Sequence, residues 1–89
     1  MAEITDDQMR ALLPTTRPYT AVILNGPNRH TEGADAIIWE HGRRNFSLRA
    51  DGLLSIVCPV SDGTEVSGIG IVNLDPEQTR EAMDGDPCV

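Results

Sequence analysis

Apolar residues along the chain gather in short blocks, and the spacing inside each block predicts an element. Residues 5–13, "TDDQMRALL", put Met9, Leu12 and Leu13 on one side of a short helix, capped by Thr5 or Asp6 and ended by Pro14. "PTTRP" follows as a linker, because its two prolines prevent the helix continuing. "YTAVIL", 19–24, is rich in β-branched residues and closes on the turn "NGPN", so it reads as a first strand. After the polar loop "RHTEG", a long helix spans Ala34 to Ala50 and stops at Gly52. "LLSIVCPV", 53–60, is a second strand, and "SDGT" turns the chain into an antiparallel third strand, 65–74. "DPEQTREAMDG" is a last helix: Asp75 caps it, Pro76 takes its first position, Gln78 completes a capping box and Gly85 ends it.

The fold class is therefore α+β. Residues 1–17 form an N-terminal helical arm and linker. Residues 18–89 form a domain with most of a ferredoxin-like βαββα(β) unit, its fourth strand missing. Alternation places Leu54, Ile56, Cys58 and Val60 on one face of the second strand, and Leu53, Val57 and Pro59 on the other. Both faces of the sheet are apolar, yet two helices cover only one. A second copy of the sheet is the simplest cover for the other.

Two interruptions of the apolar pattern carry the candidate chemistry. His41 lies near the centre of the helical stripe made by Ala34, Ile37, Ile38 and Leu48, where a leucine is expected. A lone histidine there is commonly a core residue bonded to backbone. However, a ferredoxin-like topology starts the first helix and ends the second at the same end of the sheet, bringing Asp86 towards His41. A carboxylate orienting an imidazole suits general acid–base work. Asp51 is about 15 Å from His41 along the helix axis and reads as a turn residue. Asn25, Arg29 and His30, in or beside the loop after the first strand, are the remaining candidates for binding a ligand.

Composition narrows the partners. The net charge is −7, and the only adjacent basic residues are Arg43 and Arg44, read as a solvated face, so nucleic acid is not expected. No run is apolar and long enough for a membrane span, and no signal segment is evident, which leaves a cytoplasmic protein as the default. Cys58 reads as a buried, inert thiol and Cys88 as an exposed one; two cysteines do not make a disulfide or zinc framework. Nothing in the spacing demands a metal. Gly68 and Gly70 do not form a dinucleotide fingerprint, since no helix follows at the right distance. Trp39, Phe46 and Ala50 form a second apolar patch on the long helix, which Met9, Leu12 and Leu13 of the arm, or another chain, are expected to cover.

The ordered set of His41, Leu48, Asp51-Gly52-Leu53-Leu54 and Cys58-Pro59, followed by "GIGIVNLDPEQTREAMDGDPCV", resembles the YCII-related family. Here "DGLL" stands for the family's "EGxL" turn and "CP" for its "GP". The sequence departs from the pattern at Asn45, where an apolar residue is usual, and at Cys88, where an aromatic follows "DP". The resemblance implies a dimeric α+β barrel, with a homodimer formed through the sheet face and a His–Asp pair in each subunit's pocket. Together with the pairing argument, it suggests a small enzyme using His41 and Asp86 on a small organic molecule without a cofactor. The alternative is a non-catalytic dimer of the same fold that binds a ligand or regulates a partner.

Overall fold

The computed structural model describes residues 1–88. Its elements run α1 (Asp6–Leu12), a 3₁₀ turn (Leu13–Thr15), β1 (Thr20–Asn25), α2 (Ala34–Ala50), β2 (Leu54–Pro59), β3 (Val66–Val72) and α3 (Pro76–Met83). The result is an α+β fold in which three helices accompany one three-stranded antiparallel sheet of order β1-β3-β2. The helix ends form as their residues dictate. Thr5 with Gln8, and Asp75 with Gln78, build complete capping boxes. At the end of α2, Gly52 adopts φ +77. Its N–H bonds Arg49 O, and the Leu53 N–H bonds Leu48 O, a pairing that returns the chain towards the sheet.

The register decides which side chains share a face. Gly70 of the central strand pairs with Val22 on one side and Val57 on the other, and Val72 pairs with Leu54, so these line the side on which α2 and α3 pack. Simple alternation predicts Leu54 on the same face as Ile56 and Cys58. A register shift between Leu54 and Ile56 overturns that, because the extra residue lets both Leu54 and Val57 face the helices. Cys58 is consequently exposed, contrary to the buried thiol expected of it. The core is small: Leu48, Leu54 and Val72 are buried, with Val22, Leu53, Leu74 and Met83 packed against them.

The opposite face of the sheet is uncovered. Ile23 is 63% exposed and Ile56 53%, and Ala21 and Cys58 are exposed beside them. The arm does not behave as anticipated either. Met9, Leu12 and Leu13 remain exposed, as do Trp39 (70%) and Phe46 (76%), so within the chain the arm does not cover the second patch of α2. The linker explains why. Thr16 is extended (φ −75, ψ 156), and Arg17 fastens the linker by bonding the Asn73 side chain and lying 5.0 Å over the Tyr19 ring. The arm is held off the domain, and the radius of gyration is 16.6 Å, against roughly 12 Å for a compact chain of this length.

Candidate functional site

His41 is carried by the second turn of α2, and Asp86 by the short loop that follows α3. The loop folds back because the Asp86 N–H bonds Met83 O at 3.0 Å. Arg44, one turn after His41, reaches across to donate to the Ala82 carbonyl near the end of α3. Arg44 is therefore half-buried, tying the two helices together rather than lying on the solvated face expected for it. Gly85 permits this approach: a Cβ there would stand 2.8 Å from the Arg44 guanidinium. Arg43 does remain outside, paired with Glu40 at 3.1 Å.

With the two helices fastened, His41 Nδ1 lies 2.8 Å from both Asp86 oxygens. The carboxylate is almost sealed, its side chain 1% exposed, while the imidazole is 22% exposed. A buried carboxylate needs donors, and Asp86 has two: the imidazole and the Cys88 N–H at 2.8 Å. The other imidazole nitrogen, Nε2, lies 3.2 Å from Asn45 Nδ2, one turn along the same helix. This pairing sets the neutral tautomer: Nδ1 carries the proton and donates it to Asp86, and Nε2 accepts from the Asn45 amide. Among the described residues, no buried side-chain nitrogen or oxygen lacks a partner.

Two cavities meet at the imidazole. The inner one, about 50 Å³, lies between His41, Asn45, Asp86, Met83 and the sheet. The outer one is an open groove of about 990 Å³ between α2 and the sheet, with Ile37, Ile38, Leu24 and Val57 among its apolar walls. Gly68 lines both cavities, and a Cβ there would meet only the Cys58 carbonyl at 3.6 Å. The glycine thus keeps the groove open beside the histidine. Cys88 also lines the groove. Its thiol pKa is raised, first by burial and then by the neighbouring Asp86 charge.

The other candidates scatter. Asn25 lines the groove's outer part. Arg29 lines it too, but its guanidinium donates to the carbonyls of Gly26 (3.0 Å), Glu65 (3.1 Å) and Thr64 (2.9 Å). It therefore joins the loop after β1 to the β2–β3 hairpin instead of presenting a free cation to a ligand. His30 is exposed and lines neither cavity. Asn45 and Cys88 belong to the histidine's surroundings; the sequence marks both only as departures from the pattern it resembles, not as site residues. For Asn45 the signal was available: four residues after His41 is one helical turn. Cys88 has no such signal, since a loop brings it in.

Fold and site together define a small α+β protein with a His–Asp pair at the head of an apolar groove. Comparison with known proteins finds no matching family model, curated protein or solved structure. Among the described residues, no helix is long and apolar enough to cross a membrane.

Proposed function

We propose that the protein is a small YCII-like enzyme that uses His41 and Asp86 for acid–base chemistry on a small, largely apolar organic molecule, without a cofactor. The observation that carries this reading is the hydrogen bond from His41 Nδ1 to a sealed carboxylate where the imidazole borders the groove. Asp86 orients the ring by accepting the Nδ1 proton, while Nε2 exchanges a proton with substrate once the Asn45 amide swings aside. The groove walls supply apolar contact, and Asn25 offers a polar group farther out.

The strand order β1-β3-β2, with α2 and α3 against one face, supports a ferredoxin-like unit. The uncovered face formed by Ile23, Ile56, Ile69 and Ile71 supports a homodimer built sheet to sheet, as in a dimeric α+β barrel. An interface of about 800 Å² per subunit is the ordinary size for a stable pair. Sedimentation at micromolar concentration should give a dimer, and Ile23→Asp should give a monomer; a wild-type monomer removes the barrel reading.

Catalysis is tested by solvent-deuterium incorporation into a panel of small cyclic lactones and enones, followed by proton NMR. Exchange that depends on His41, and is lost in His41→Asn, supports the enzyme. If wild type and variant are alike across the panel, the reading is refuted. A second reading has its own observation. The Asn45 amide occupies Nε2, the nitrogen a base would use, which favours a ligand-binding protein of the same fold. Chemical-shift changes along α2 and β3 without exchange would mark that outcome.

A further inference from the structure

Cys88 stands beside the acid–base pair but takes no part in its chemistry. The ligand atoms of His41, Asp86 and Cys88 all lie within 4.8 Å of one another. The three come from two separated parts of the chain, and together they offer nitrogen, oxygen and sulfur donors. In a tetrahedral zinc site, with bonds of about 2.0 Å to nitrogen and oxygen and about 2.3 Å to sulfur, neighbouring donors stand roughly 3.3–3.6 Å apart. The His41–Asp86 pair, at 2.8 Å, needs to open slightly, and the sulfur needs to close by about 1 Å. Only Pro87 separates Cys88 from Asp86, and the Cys88 side chain is only half-buried, so side-chain rotation is the movement required.

From this geometry we infer that His41, Asp86 and Cys88 form a three-ligand site for a divalent ion of the zinc type, with the fourth position open to the groove. Mixed nitrogen, oxygen and thiolate donors match zinc's borderline-soft character, whereas magnesium and calcium call for oxygen. Three protein ligands with an open fourth position is the arrangement in which zinc keeps an exchangeable water. Proton and charge balance as follows. The Cys88 thiol gives its proton to solvent and binds as thiolate. The imidazole moves its proton from Nδ1 to Nε2, freeing Nδ1 for the ion. Asp86 binds through one oxygen, and Oδ1 keeps the Cys88 N–H.

Asn45 acquires a reason to be polar in this state. Turned over, its amide presents oxygen to the new Nε2–H, which fixes the imidazole from behind as metal-bound histidines require. Metal-free and metal-bound forms are alternative states of one site, because the ion takes the place of the His41–Asp86 hydrogen bond. The inference goes beyond the acid–base proposal, and its measurement needs no turnover.

The experiment titrates cobalt(II), a spectroscopic substitute for zinc, into metal-free full-length Cys58→Ser. That change removes the exposed thiol on the far face and leaves Cys88 as the only cysteine. The expected result is a near-ultraviolet thiolate-to-cobalt band that saturates at one ion per chain and is displaced by stoichiometric zinc. It should persist in Cys58→Ser/His30→Gln and weaken at least tenfold in affinity in Cys58→Ser/His41→Gln. Absence of the band in Cys58→Ser, or equal affinity in both histidine variants, overturns the site. The deuterium-exchange panel is run separately on metal-free protein, so failure of the ion site and failure of the enzyme reading are distinguishable.

Discussion

Replacing Asp86 with asparagine asks whether the buried carboxylate stabilises the protein or strains it. The change keeps the shape and keeps an oxygen for the Cys88 N–H, but it puts an NH₂ where an oxygen now lies 2.8 Å from His41 Nδ1. Two N–H groups cannot face each other there. The kept oxygen also lies 2.8 Å from Nδ1 but already accepts the Cys88 N–H, so the arrangement that relieves the clash moves the imidazole proton to Nε2 and turns Asn45 over to accept it. A hydrogen bond to a charged group contributes about 1.5–3 kcal/mol. The 22% exposure of the imidazole and the relief of removing a buried charge both favour the low end, so the expected loss is about 1.5 kcal/mol. In a domain of this size that is roughly 6–12 °C in Tm. Urea unfolding followed by circular dichroism measures the loss, and nitrogen NMR of the ring reports the tautomer at pH 7. Unchanged or increased stability with the proton still on Nδ1 would refute the reasoning: desolvation of the carboxylate would then outweigh its bonds.

Three further outcomes follow from other parts of the structure. Arg29→Ala should lower the unfolding free energy by about 1–2 kcal/mol, read as a lower urea midpoint with an unchanged slope, because three backbone carbonyls lose their donor; Arg29→Lys should not recover it, since an ammonium lacks the fork that spans them. Deleting residues 1–14 should leave Trp39 emission unchanged, because the indole is already exposed; a shift in either direction would mean that the arm covers it in solution. Asp62 is held below its ordinary value of 3.8, chiefly by the Thr64 hydroxyl and then by the Thr64 N–H. The β2–β3 turn should therefore be fully bonded above that value and loosen only as pH falls through the lower folded one. Thr64 resonances followed by NMR report the transition, and Thr64→Val should move it upward.

The sequence by itself determined the local elements, because their signals are local. The helix cap at Thr5, the capping box at Asp75, the glycine end of α2 and the Asp62-Gly63 turn each act over a few residues, and all form where the pattern puts them. The pairing of β2 with β3 was also legible, since a tight turn joins the two strands. The meeting of His41 and Asp86 was legible as topology: two helices that share one end of the sheet bring their residues together. Only the tertiary structure decided which groups surround that pair. The register shift in β2 changes the face of Ile56 and Cys58, because one extra residue inverts a period of two. Arg29 and Arg44 reach carbonyls 35–38 residues away or more locally, so their apparent freedom in the sequence was spent on backbone no short window reveals. Cys88 joins the imidazole for the same reason: a loop geometry fixed by the Asp86 N–H and carboxylate places it there, and no periodicity encodes a loop's path.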